Sequence, residues 1–94
     1  MVTRKSTSRE EVEVKAKIYS TALCPFCDRA KMLLNKRNIT FEELRVDLDQ
    51  SLLREMLKVT NGAKTVPQIF INDQYIGGFD DLTEFDLEGG LSEK

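Results

Sequence analysis

Val12, Val14, Ala16 and Ile18 alternate with Glu13, Lys15, Lys17 and Tyr19, the period-two spacing of a strand that buries one face better than the other. From Pro25 to about Arg37 the period lengthens. Ala30, Leu33, Leu34 and the stem of Arg37 recur at helical spacing, with Asp28, Arg29, Lys31 and Lys36 outward, and Asn38 ends the helix. Phe41 to Val46 returns to strand spacing, and Asp47 to Gln50 supplies a cap and turn. A second helix carries Leu52, Leu53, Met56 and Leu57 and closes at Asn61-Gly62. Leu33, Leu34, Leu52, Met56 and Leu57 read as core rather than as a stripe for a partner helix.

Thr65-Val66-Pro67 leads into a strand at Gln68-Ile69-Phe70-Ile71, Asn72-Asp73 suits a tight turn, and Gln74-Tyr75-Ile76 pairs back as a hairpin. After Gly77-Gly78, Asp80 and Asp81 suit the first turn of a last helix through Leu82, Phe85 and Leu87, stopping at Gly89-Gly90. The pattern predicts an α/β fold in the order β-α-β-α-β-β-α. A right-handed crossover makes strands one and two parallel and the hairpin adds antiparallel pairing, giving a four-stranded mixed sheet flanked by helices.

At 94 residues and 40% hydrophobic content the chain holds one modest core. Residues 12–94 read as a single domain and 1–11 as a flexible N-terminal tail. Arg4, Lys5 and Arg9 precede the first acid, Glu10, which leaves a targeting leader or a cationic contact segment as alternatives for the tail. Fourteen basic against sixteen acidic residues give a net charge of −2 and no sustained basic surface, so nucleic acid is not an expected partner. The apolar runs are too short for a bilayer, and no secretory signal with a hydrophobic centre precedes them, so a soluble, cytoplasmic protein is expected. Two cysteines are too few for the framework of a small secreted scaffold and suit a reducing compartment. The chain has no histidine, which removes Cys-His pairs and His-ligated metal sites.

The chemistry concentrates at Cys24-Pro25-Phe26-Cys27, the only two cysteines, at a strand-to-helix junction. A helix beginning at Pro25 aims unpaired backbone N–H groups and its positive dipole end at the Cys24 sulfur, which favours thiolate over thiol. Pro25 fits the first helical position because its missing N–H has no partner there. Cys27 lies one turn on, within reach of a small disulfide loop. At the helix mouth Cys24 is the expected nucleophile, and Cys27 the less accessible thiol. A Cys-x-x-Cys beside a βαβ pattern reads as a thioredoxin-like redox motif.

Cys24-Pro25-Phe26-Cys27, Thr65-Val66-Pro67-Gln68-Ile69-Phe70-Ile71 and Gly77-Gly78-Phe79-Asp80-Asp81-Leu82 stand in the order and approximate spacing of a dithiol glutaredoxin, which the chain resembles from about Val14 to Leu91. The resemblance implies a thioredoxin-like fold, glutathione-dependent reduction of glutathione mixed disulfides and protein disulfides, and a cis peptide before Pro67. It implies glutathione as co-substrate, no required metal, glutathionylated or disulfide-containing proteins as partners, and a monomer. Cys24 would carry the glutathionyl group and Cys27 would resolve protein mixed disulfides. Val66 would pair its backbone with the tripeptide, and Thr65 and Pro67 would shape the same loop. Gly78 would allow close approach, and the N–H groups opening the next helix suit the γ-glutamyl carboxylate. Asp81, with Asp80 beside it, would accept the α-ammonium, although both also suit simple helix caps.

The chain departs from the family pattern at two positions. Thr21 stands where many members carry a lysine, so that charge is missing; Lys64 is the candidate replacement, with a solvated surface charge as its plainer reading. Phe26 keeps the ring and loses the hydroxyl of the commoner tyrosine. Tyr75 and Phe79 either flank the site or serve packing. Two other functions stay open: an iron–sulfur cluster held by Cys24 of two chains with glutathione sulfurs, and a thioredoxin-like donor reduced by a flavoprotein, against which Gly77-Gly78 with Asp81 speaks.

Overall fold

The computed structural model describes residues 14–91. The predicted tail and the start of the first strand at Val12 lie outside the described residues. In chain order the elements are β1 (Lys15–Ser20), α1 (Pro25–Lys36), β2 (Thr40–Arg45), α2 (Gln50–Val59), β3 (Gln68–Ile71), β4 (Gln74–Gly77) and α3 (Phe79–Leu87). The sheet runs β2-β1-β3-β4. β1 pairs with β2 in parallel, with Lys15 opposite Thr40 and Ser20 opposite Arg45. It pairs antiparallel with β3, where Tyr19 faces Gln68, and β3 pairs antiparallel with β4. The mixed sheet has the predicted form.

Local backbone chemistry sets the element ends. Asn38 (φ 61°) and Asn61 (φ 60°) take the left-handed conformation just past α1 and α2. Ile39 N–H then reaches Leu34 O at 2.9 Å and Gly62 N–H reaches Leu57 O at 2.7 Å, satisfying carbonyls the helices leave open. Asn72 and Asp73 (φ 50° and 69°) form the hairpin turn, both at positive φ, as a type I′ turn requires. Asp49 caps α2 by accepting the Ser51 N–H at 2.9 Å.

Successive strand residues point to opposite faces, so β1 serves two cores. Ala16 and Ile18 join Ala30, Leu34, Ile69, Ile71, Leu82 and Leu91 in the larger one, beneath α1 and α3. Each fully buried aliphatic side chain there contributes roughly 1.5–3 kcal/mol relative to exposure. Tyr19 enters a smaller core with Val46 and Met56 on the other face. This corrects the placement of Tyr19 among the polar positions of the first strand. Its ring meets Phe70 edge-on at 6.1 Å and its hydroxyl donates to Glu55 Oε2 at 2.5 Å. Burial first, and the hydrogen bond to Glu55 second, push the phenol above its ordinary range. α2 covers this end of the face, whereas Lys15 and Lys17 at the other end stay exposed.

In α2, which covers that face only in part, Met56 is buried, Leu52 and Leu57, both expected in the core, are half-buried, and Leu53 is exposed. Arg37 stands just past α1 as its cap residue, with no stem in the core. Its guanidinium forks onto Asp86 of α3 at 2.8 and 2.9 Å, tying the two helices of the larger core together. Among the described residues no helix is long and apolar enough to cross a membrane.

Candidate active site

β1 and its partners deliver the chain to a short loop, 21–23, that turns into α1. Cys24 is the N-cap, with extended backbone (φ −144°), and Pro25 occupies the first helical turn. The Cys24 Sγ accepts the Cys27 backbone N–H at 3.1 Å, in the manner of a capping oxygen. Cys24 and Cys27 are joined as a disulfide, with Cα atoms 5.1 Å apart. Cys24 is 8% exposed and Cys27 is fully buried, so Cys24 is the sulfur nearer to solvent. A backbone N–H donor held against a reduced cysteine sulfur favours its anionic form.

The loop ahead of Cys24 is clamped from β2. Arg45 forks onto Asp47 at 2.7 Å through both nitrogens, and Asp47 Oδ2 accepts the Ala22 N–H at 3.1 Å. Hydrogen bonding to Arg45 first, with help from the Ala22 N–H, holds the Asp47 carboxyl at about 2. A carboxyl depressed from 3.8 keeps its contacts above its unfolded value and loses them as pH falls through its folded one. The Ala22 amide proton resonance is therefore expected to hold steady down to pH 4 and to titrate with a midpoint near 2. A midpoint near 4 in an NMR titration would show that the clamp is not made.

Beside Cys24 lies the loop before β3, where the Val66-Pro67 peptide is cis. The Val66 carbonyl oxygen is 3.8 Å from the Cys24 Sγ. Beyond it, Gly78 is the N-cap of α3, and its N–H donates to Asp81 Oδ2 at 3.1 Å. Gly77, at φ 125°, makes room for that carboxylate, because a Cβ there would overlap Asp81.

These pieces enclose a cleft of about 340 Å³. It is lined by Phe26, Thr65, Val66, Pro67, Gly78, Phe79, Asp80 and Asp81, all singled out from sequence. Thr21 and Lys64 are not in its wall; Thr21 is half-buried in the clamped loop, and Lys64 is exposed beside Thr65. Gln68 and Tyr75 complete the lining. The sequence offers Gln68 only as part of the Pro67 motif, and Tyr75 both lines the cleft and packs its ring 5.1 Å from that of Phe70.

The Phe26 and Phe79 rings stack at 6.0 Å, and the Arg29 guanidinium sits 5.4 Å from the Phe26 centroid. One wall is thus apolar, while the far end offers helix N–H groups and two carboxylates. A larger hollow of about 390 Å³ beside Lys17 and Phe70 holds none of the sequence-derived site residues. Among the described residues no group of three or more His, Cys, Asp or Glu is placed to hold a metal ion.

The Glutaredoxin family model matches residues 16–76, more than half of the chain. Glutaredoxin 3 of Escherichia coli (strain K12) is 49% identical over 74 residues, which span 79% of this chain and 88% of that protein. The solution structure of glutaredoxin from Brucella melitensis superposes with a TM-score of 0.70 at 38% identity, covering 85% of this chain and 86% of that one. A buckwheat glutaredoxin–glutathione complex shares the fold at a TM-score of 0.73, covering 92% of this chain and 81% of that one; its identity is 24%.

Proposed function

Since the chain belongs to the glutaredoxin family and is a thiol-disulfide oxidoreductase, we propose that it reduces glutathione mixed disulfides and protein disulfides at the expense of glutathione, through a Cys24 thiolate. One observation carries this reading. The Cys24 sulfur takes a helix N-terminal N–H at 3.1 Å while standing 3.8 Å from the carbonyl of Val66, which lines the cleft. An activated sulfur and a peptide-sized recess therefore adjoin.

The Cys24 thiolate attacks the glutathionyl sulfur of a mixed disulfide. A Cys24–glutathione bond forms, the old disulfide breaks, and the substrate leaves as a thiolate that takes a proton from water. A second glutathione thiolate then attacks the same glutathionyl sulfur, releasing glutathione disulfide and restoring Cys24. With a protein disulfide, Cys24 bonds to one target sulfur, and Cys27 attacks Cys24 to close the internal bond. The target leaves as a dithiol.

The cleft supplies partners for the tripeptide. The Val66 backbone pairs with the peptide unit as an added strand would, with Thr65 and Pro67 shaping that edge. Gly78 N–H is already taken by Asp81, so the next N–H groups of α3 are left for the γ-glutamyl carboxylate. Asp81 and Asp80 face the α-ammonium, and the Phe26–Phe79 pair covers the apolar stem. Lys64, exposed next to Thr65, would reach the glycyl carboxylate from outside the wall, and Thr21 would add a polar contact near Cys24. The protein would act as a cytoplasmic monomer, with residues 12–94 as one domain.

Reduced protein should turn over a glutathionylated small thiol in an assay coupled to glutathione reductase. Activity with thioredoxin reductase but none with glutathione would replace this reading with the flavoprotein-dependent one. Asp81→Asn keeps an oxygen for the Gly78 N–H and removes the charge. It should raise KM for the glutathionyl substrate by about three- to tenfold, with the thermal midpoint unchanged. An unchanged KM would leave Asp81 as a cap only.

A further inference from the structure

The wall of the cleft behind Pro67 contains a chain of hydrogen bonds that the reaction itself does not use. Tyr75 Oη donates to Gln68 Oε1 at 2.5 Å, and Gln68 Nε2 donates to Thr65 O at 2.9 Å and to Thr65 Oγ1 at 3.2 Å. We infer that Tyr75 is a positioning residue for substrate binding, acting through Gln68 to hold the Thr65-Val66 backbone in the geometry that an incoming peptide pairs with. The inference rests on the glutathione reading of the same cleft and extends it to a residue outside the three motifs that identify the family.

Gln68 is only 4% exposed, so the polar atoms of its amide need partners within the protein. A backbone carbonyl only accepts, which fixes the NH2 group toward Thr65 and leaves Oε1 facing Tyr75. Tyr75 is the donor that satisfies this oxygen. Its ring is held against Phe70 at 5.1 Å, on the strand that continues from Gln68. Burial, and then the charge of Asp81, push the phenol above its ordinary range, so the hydroxyl keeps its proton. The chain thus runs from β4 to the residue preceding Val66, whose carbonyl stands 3.8 Å from the Cys24 Sγ. Small displacements of backbone at such a point weaken binding, because the hydrogen bonds to an incoming peptide must meet donors and acceptors held in line.

Tyr75→Phe keeps the ring and removes the hydroxyl. We expect kcat/KM for a glutathionylated small thiol to fall about three- to tenfold, the size of one lost hydrogen bond, and to fall through KM with kcat unchanged. Alkylation of reduced Cys24 by iodoacetamide should proceed at the wild-type rate. Gln68→Glu, which puts an acceptor opposite the Thr65 carbonyl, should reproduce the KM effect. Tyr75→Phe added to Gln68→Ala should cost nothing beyond Gln68→Ala alone.

A loss carried by kcat, an unchanged KM, or additive losses in the double variant would overturn the inference. Backbone amide order parameters at Thr65 and Val66, lower in Tyr75→Phe than in wild type, read the same positioning without any glutathione. If wild-type protein ignores glutathionyl substrates, the proposed function fails, and this relaxation measurement still decides the role of Tyr75: equal order parameters overturn it.

Discussion

Cys24→Ser is expected to reduce disulfide reductase activity to the background of uncatalysed exchange, while Cys27→Ser keeps most of the activity toward glutathione mixed disulfides and loses that toward protein disulfides. The asymmetry follows from the geometry. Cys24 is the cap residue that receives the Cys27 N–H at 3.1 Å, and it is the less buried of the two. Serine at 24 leaves a hydroxyl that does not ionise near neutral pH and cannot accept a sulfenyl group in exchange. Cys27 has no exposure, so no substrate reaches it until Cys24 carries a bond for it to attack. Assays of both variants against a glutathionylated small thiol and against a protein disulfide separate the two steps. Equal loss in both variants on the glutathionylated thiol would remove the monothiol step.

Gly77→Ala should be the most damaging substitution outside the cysteine pair. The residue sits at φ 125°, where an L side chain is strained, and its Cβ would overlap the Asp81 carboxylate. The strain alone costs on the order of 1–3 kcal/mol. Relief by moving Asp81 would release the Gly78 N–H and take the carboxylate from the cleft. The expected outcome is a lower midpoint in denaturant together with a more than tenfold rise in KM for a glutathionylated thiol, about 1.4 kcal/mol or more of lost binding. Gly78→Ala is the stability control: φ is −87° and the nearest atom to a Cβ is the Pro67 carbonyl oxygen at 3.6 Å. Equal midpoints for the two variants would show that the overlap at Gly77 is relaxed freely.

The parts of the fold that depend on nearby residues were legible in the sequence. Asn38 and Asn61-Gly62 announce helix ends because those positions need positive φ, and Asn72-Asp73 announces the hairpin for the same reason. Strand and helix periods gave the element order, and the crossover rule gave the parallel pair. What failed depends on contacts between distant segments. Tyr19 looks like a polar-face residue until α2 crosses above it, and Leu57 looks like core until the same helix proves to leave it half-exposed.

At the site, the residues that the resemblance casts as glutathione contacts line one cleft, except for Thr21 and Lys64, and the Cys24 sulfur stands beside it, 3.8 Å from the Val66 carbonyl oxygen. Three features had no local signature. The Asp47 clamp on Ala22 and the Arg37–Asp86 fork join residues far apart in sequence. The Tyr75–Gln68–Thr65 chain depends on the hairpin turning back beside Pro67. Pairings of this kind add few constraints on residue type at either end, so composition and period pass over them.

The account depends most directly on the ionisation of Cys24. In Cys27→Ser, where Cys24 is the only thiol, the pH profile of iodoacetamide alkylation reports it. The helix-terminal N–H groups predict a midpoint below the roughly 8.5 of a free cysteine thiol; a midpoint at or above that value would contradict the account.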